Sequence, residues 1–204
     1  MATQESTGRE NTIALVSEAE APPSVAEVYA EISESRDGKL EEDLTLSKLW
    51  RLFGNDPDLI EIVWAHMDHM YNGGSVPFEL KSEISLVVAS VLQCEGCRFY
   101  HESALEELGY DVERIEAIED VDFDRPGFSP TEEVVLKFAQ KAAEDPHGIT
   151  DEDLAALRDL GFSEAELLEI VDCIAMHVYT AYIQGIAGIV YPGMSKAEWT
   201  AENA

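Results

Sequence analysis

The chain is poor in cysteine, in positive charge and in long apolar runs, and each shortage excludes something. Only three of the 204 residues are cysteine: Cys94, Cys97 and Cys173. An odd, sparse set does not build a disulfide framework, so the close pair points to redox or metal chemistry instead. Lysine and arginine together number 13 against 42 acidic residues, a formal net charge of −29. Phosphate binding needs basic side chains, which argues against nucleic acid and anionic membranes as partners. No uninterrupted apolar run approaches the roughly 18–20 residues of a membrane span. Residues 1–20 lack a basic start followed by an apolar block, so no secretory signal is expected there. These absences lead to the expectation of a soluble, cytoplasmic protein. No stretch alternates at period two between turn signals, so no strands are expected either.

What is present is enough for one core: 46% of the residues are hydrophobic, and the length suits one domain. The pattern predicts a mobile arm over residues 1–20, one helical domain over 21–193 and a loose tail over 194–204. The acidic excess repels itself at ordinary salt and is screened at high salt, so adaptation to a salt-rich cytoplasm is expected.

Helical spacing organises the domain into an all-α fold. Pro22-Pro23-Ser24 opens a helix with Val25, Val28, Tyr29 and Ile32 on one stripe, closed by Asp37-Gly38. A short helix follows from about Leu46 to Phe53. Asp56-Pro57 starts a third helix over 57–72, with Leu59, Ile62, Val63, His66, Met70 and Tyr71 at helical spacing. Pro77 opens an apolar helix, and a further helix runs from Cys97 to Leu108 and stops at Gly109. Asp111 caps a short helix, residues 120–128 read as a loop, and Ser129-Pro130-Thr131-Glu132 is a capping box for a helix over 130–144. Thr150 and Ser163 start the last two helices. The second of these is long and apolar, and Gly185 and Gly188 are expected to permit close backbone approach.

Chemistry concentrates at Cys94-Glu95-Gly96-Cys97-Arg98-Phe99-Tyr100-His101. On one helix, the i,i+4 spacing of Cys97 and His101 puts both side chains on one face. An imidazole beside a thiol can take its proton, and the thiolate is the nucleophile. A second nearby thiol can then resolve an oxidised first one into a disulfide. Two other readings stand beside this one: inert packing of the thiols, or zinc with His66, His69 or His177 drafted as further ligands. His66 and His69 read more simply as a wetted helix face. Cys173 and His177 repeat the i,i+4 spacing and read as a packed core pair, with His177 able to line a pocket.

Residues 81–101, KSEISLVVASVLQCEGCRFYH, resemble the active-site segment of the AhpD-like alkylhydroperoxidases in the carboxymuconolactone decarboxylase superfamily. The likeness extends over residues 22–191, through Asn55-Asp56-Pro57-Asp58-Leu59, Phe128-Ser129-Pro130-Thr131-Glu132, the Thr150 helix start and Gly161-Phe162-Ser163-Glu164. The resemblance implies an all-helical fold, a homotrimer or homohexamer, and hydroperoxide reduction through a reversible Cys94–Cys97 disulfide. It makes Cys97 the attacking thiolate, Cys94 the resolving thiol and His101 the base. A lipoylated or thioredoxin-like dithiol protein supplies the electrons, and no cofactor or metal is implied. The family's relay glutamate lies twelve residues before the first cysteine, where this chain has Ser82; Glu83 stands one position later. A straight helix would hold Glu83 about 16 Å from Cys94, so Glu83 serves the relay only if the chain folds back near Gln93–Gly96, and Gly96 is the residue expected to allow a bend there. Two alternatives remain: a redox-sensing or disulfide-exchange oligomer without catalysis, and a lactone decarboxylase, a branch that generally lacks the cysteine pair.

Overall fold

The computed structural model describes residues 12–35 and 47–189, and every described element is helical. The chain divides into two compact units. One comprises the described residues up to His66 and from Tyr182 onward; the other is Met67–Ala181. The Asp37-Gly38 stop, Leu46 and the tail from 194 lie outside the described residues.

In the first unit, α1 (Pro23–Glu34) buries Val25, Val28, Tyr29 and Ile32, the stripe its spacing sets. Helix α2 (Lys48–Phe53) contributes Trp50, Leu52 and Phe53. Trp50 meets Trp64 edge-on with centroids 5.5 Å apart, and the Trp64 indole N–H donates to Glu31 at 3.2 Å. Residues 12–17, within the expected arm, are tied down by bonds from Thr12 N to Ala187 O (2.8 Å) and Val16 N to Arg51 O (2.9 Å). Tyr29 donates to the Val16 carbonyl at 3.1 Å. Gly54 sits against that phenol, where an added Cβ would lie 2.0 Å from the Tyr29 oxygen.

The second unit is built round α4 (Phe78–Val91), in which every residue from Lys81 to Ala89 is buried. A helix enclosed on all sides has no polar face to give away, so its serines bond back to their own helix. Ser82 donates to Phe78 O at 2.9 Å and Ser85 to Lys81 O at 2.6 Å. Against α4 pack α5 (Glu95–Glu107), α6 (Val112–Glu119) and α7 (Pro130–Glu144). Helix α8 (Asp151–Asp159) lies on α7. Helix α3 (Pro57–Asn72) and helix α9 (Glu164–Ala187) contribute their residues from 67 and up to 181, respectively.

Three helix starts carry reciprocal capping pairs: Ser129 with Glu132, Thr150 with Asp153 and Ser163 with Glu166. Each satisfies N–H groups that the first turn leaves without partners. Lys81, only 1% exposed, donates to the carbonyls of Met70 (2.6 Å) and Gly73 (2.9 Å) and lies 3.5 Å from Glu169. Glu169 in turn accepts from the Ser75 and Val76 amides, so buried charge here closes the turn between α3 and α4.

Two sequence expectations change. The buried face of α3 carries Ile60, Val63, Trp64, Met67, Met70 and Tyr71, while Leu59, Ile62 and His66 face outward. The stripe is rotated because the two tryptophans pair, a contact that spacing alone does not specify. At Gly185, an added Cβ would meet nothing within 4 Å among the described residues, so no described backbone approaches it. By length and composition, α9 is long and apolar enough to cross a membrane. In this structure it carries the buried polar residues His177 and Thr180.

Candidate active site

Cys94 and Cys97 are joined as a disulfide with their Cα atoms 5.3 Å apart. The chain reverses just before them. Helix α4 ends with Gln93 N bonded to Ser90 O (3.2 Å) and Cys94 N to Ala89 O (2.9 Å). These are the two bonds of a Schellman closure, which needs a left-handed residue between them. Gln93 fills that place with φ 54°, where glycine is the usual occupant. The fold-back thus falls within the expected Gln93–Gly96 stretch, but the residue that permits it is Gln93, and Gly96 lies within α5.

The reversal makes Cys94 the residue that caps α5, with Cys97 in the first turn and His101 one turn further. Cys97 and His101 are buried, at 7% and 4% exposure, and Cys94 is partly exposed. Both sulfurs lie at a helix N-terminus, where the unpaired amides and the helix dipole favour a thiolate once the bond is reduced.

His101 is held between aromatic rings. Tyr100 meets it edge-on at 5.3 Å and His177 of α9 at 4.8 Å. Burial, with the neighbouring His177 adding to it, holds the His101 ring well below the usual histidine range, so it is neutral and able to accept a proton. Burial likewise lowers His177 to about 4. His177 Nδ1 lies 2.7 Å from the Cys173 carbonyl, an acceptor only, so Nδ1 carries the hydrogen. Nε2 is then an acceptor, and Tyr71 of α3 donates to it at 2.8 Å. Ser85 completes the cluster, 3.3 Å from both the Tyr71 oxygen and His177 Nδ1. Cys173 is buried, and burial pushes its thiol up to about 12. It is a protonated packing group, as the sequence suggested.

Glu83, 1% exposed, points to α6, where the Arg114 guanidinium grips its carboxylate through Nε and Nη2. Arg114 also binds Glu132 at 2.6 Å and the Gly127 carbonyl at 2.6 Å, and its plane lies over Tyr110 and Phe128. Burial raises the Glu83 carboxyl above its ordinary value against the opposing pull of Arg114. On the other side of Cys97, Arg98 pairs with Glu119 at 2.6 Å. Burial and a hydrogen bond with Glu119 raise Glu102 to about 8.

The structure thus gathers Cys94, Cys97 and His101 on α5 and engages Glu83 with Arg114. His66 and His69 are exposed on α3. Among the described residues, no three His, Cys, Asp or Glu side chains form a group that could hold a metal ion. Sequence reasoning missed Tyr71 and Arg114 as neighbours of the candidate residues. Nothing local marks them, because Tyr71 reaches His177 across 106 positions and Arg114 reaches Glu83 across 31.

No family model and no curated protein matches the sequence. Solved structures do match in shape. A peroxidase-related protein from Ralstonia eutropha JMP134, described as an alkylhydroperoxidase AhpD core, is 16% identical with a TM-score of 0.76, covering 92% of this chain and 95% of its own. A peroxidase-related protein from Silicibacter sp. TM1040 is 18% identical with a TM-score of 0.74, covering 95% and 96%. The debrominase Bmp8, as a cysteine variant in complex with 2,3,4-tribromopyrrole, is 17% identical with a TM-score of 0.75, covering 98% and 100%. At such identities the likeness carries the fold, and the chain has an all-α AhpD-like fold.

Proposed function

We propose that the protein is a thiol-dependent peroxidase that reduces hydroperoxides through a reversible Cys94–Cys97 disulfide. The observation that carries this reading is the bonded cysteine pair at the start of α5 with a buried, neutral His101 one turn on. In the reduced protein, His101 takes the Cys97 proton and the thiolate attacks the peroxide O–O bond. The S–O bond forms, the O–O bond breaks, and the proton passes to the departing alkoxide to give an alcohol and a Cys97 sulfenic acid. The Cys94 thiol attacks that sulfur, water leaves, and the disulfide closes. An external dithiol, lipoylated or thioredoxin-like, attacks the more exposed Cys94 and restores both thiols by exchange. Glu83 joins the relay only where it can act while bound to Arg114. The protein works as a homotrimer or homohexamer in a salt-rich cytoplasm.

The test is intact-mass and thiol titration of reduced protein with a hydroperoxide and dihydrolipoamide in high salt. Loss of two hydrogens at Cys94–Cys97 with sustained turnover is expected. Cys94→Ser should support one turnover and stop, whereas full turnover by Cys97→Ser overturns the scheme. Disulfide formation without turnover indicates a redox sensor.

The likeness to a debrominase over 98% of the chain favours one second substrate. The same two thiols could reduce an aryl bromide to the arene and bromide ion, becoming a disulfide. Bromide release from tribromopyrrole in place of peroxide turnover decides between the two.

A further inference from the structure

Four helices of the second unit meet behind His101. Helix α5 brings His101 itself, with Cys97 and Tyr100; α9 brings His177 and Cys173; α3 brings Tyr71; and α4 brings Ser85. The charged groups of α4 are turned elsewhere, Lys81 to the Met70 and Gly73 carbonyls and to Glu169, and Glu83 to Arg114 of α6. Helix α7 contributes Glu132, which is also engaged with Arg114. The side chain whose charge acts on His101 is therefore His177, whose ring stands 4.8 Å away at 70°.

Two buried imidazoles at that separation have room for one proton, because a second charge would meet the first at close range in a dry environment. Which ring takes it depends on lone pairs. His177 Nδ1 is committed to the Cys173 carbonyl, so only Nε2 can be protonated, and the Tyr71 hydroxyl occupies it at 2.8 Å. Protonating His177 turns Nε2 into a donor, so the Tyr71 hydrogen must leave it for another acceptor, and the nearest is the Ser85 oxygen at 3.3 Å, whose own hydrogen goes to Lys81 O.

We propose that Tyr71 decides which of the two edge-on imidazoles is free to accept a proton: by filling the last lone pair of His177 it keeps that ring uncharged and leaves His101 as the acceptor beside Cys97. Tyr71 and His177 are positioning residues in this scheme, acting through the His101 ring. The inference rests on the reading of His101 as the base in thiol chemistry. It also explains why a hydroxyl and two imidazoles are buried together at the back of a site whose chemistry uses one of them.

Nitrogen-detected NMR of the histidine rings tests it directly. In the wild-type protein His177 should be the Nδ1–H form, with an unprotonated Nε2. In Tyr71→Phe the protonation midpoint of His177 should rise by about half to one pH unit, the equivalent of one neutral hydrogen bond. The midpoint of His101 should fall in the same variant, and Tyr71→Phe should leave His101 unmoved when combined with His177→Phe. A wild-type His177 protonated at Nε2 overturns the proposal, and this reading needs no variant to fold. So does a His101 midpoint that responds equally with and without His177, which marks Tyr71 as mere packing. Single-turnover oxidation of Cys97 by peroxide, followed at acidic pH, separates the two levels. Shifted midpoints with an unchanged rate leave the Tyr71 control standing and remove His101 as the base. Unchanged midpoints in a protein that turns over peroxide do the reverse.

Discussion

Replacing Arg114 with methionine keeps most of the length of the side chain and removes the charge that Glu83 faces. Glu83 is 1% exposed and Arg114 is 22% exposed. Removing one partner of a buried pair costs about 3–5 kcal/mol, and partial exposure of the arginine brings the expected loss at pH 7 to about 2–4 kcal/mol. The variant has one escape, which is to protonate Glu83. Burial already raises that carboxyl above its ordinary value, and loss of Arg114 removes the strongest of the pulls that lower it. A carboxyl whose folded-state pKa is raised holds its proton more tightly folded than unfolded. Its penalty is therefore absent below about pH 4.5 and grows as pH rises towards the folded value. Each proton held more tightly in the folded state contributes about 1.4 kcal/mol per pH unit, so the gap between variant and wild type should shrink as the pH falls from 7 to 5. Urea unfolding of both proteins at fixed salt across that range measures it, and Glu83→Gln in the Arg114→Met background should restore much of the loss at pH 7. A loss under about 1 kcal/mol, or a gap that ignores both pH and Glu83→Gln, refutes the reasoning. Glu83→Gln alone then asks about chemistry. Slower oxidation of Cys97 at unchanged stability assigns Glu83 to the relay, and an unchanged rate assigns it to the clamp.

Gln93→Gly should stabilise the protein by about 0.5–1 kcal/mol in thermal or urea unfolding, because φ 54° strains a residue with a Cβ; a loss of stability would show that the glutamine side chain holds the turn. Native reduced protein treated with iodoacetamide at pH 8 should gain label at Cys94 and Cys97 and acquire a third only on unfolding, since burial holds the Cys173 thiol protonated; a third label at the native rate contradicts that. With a net charge of −29, the protein should unfold at higher urea concentration in multimolar KCl than in dilute buffer, and the opposite order would end the salt-adaptation reading.

How much of this could be read from the chain differs from residue to residue. Helix ends were legible because their signals are local: Ser129 with Glu132 and Gly109 and Gly161 after their helices mark boundaries by bonds spanning a few residues. The Cys97–His101 face was legible for the same reason. The α3 face was not, since Trp64 turns inward to meet Trp50, and the fold-back was assigned to Gly96 rather than Gln93 because a glutamine holds a position that usually needs glycine.

Glu83 shows why a motif one residue out of step needs a structure to interpret it. Around a helix, one position is about 100° of rotation, so Ser82 and Glu83 cannot serve the same neighbour from one straight α4. Ser82 turns back to Phe78, and Glu83 reaches α6, where Arg114 receives it with Tyr110 alongside, and Glu132 of α7 shares the same guanidinium. No such partner follows from the spacing of Glu83 to Cys94, because α6 is connected to α4 through all of α5. What the displaced carboxylate gains is a counter-ion that also anchors the start of α7 through Glu132. A proton relay needs a carboxylate that exchanges protons easily, whereas a clamp needs one that stays charged. Arg114 pulls Glu83 towards the second role and burial towards the first, and pH-dependent stability measures which pull is the stronger.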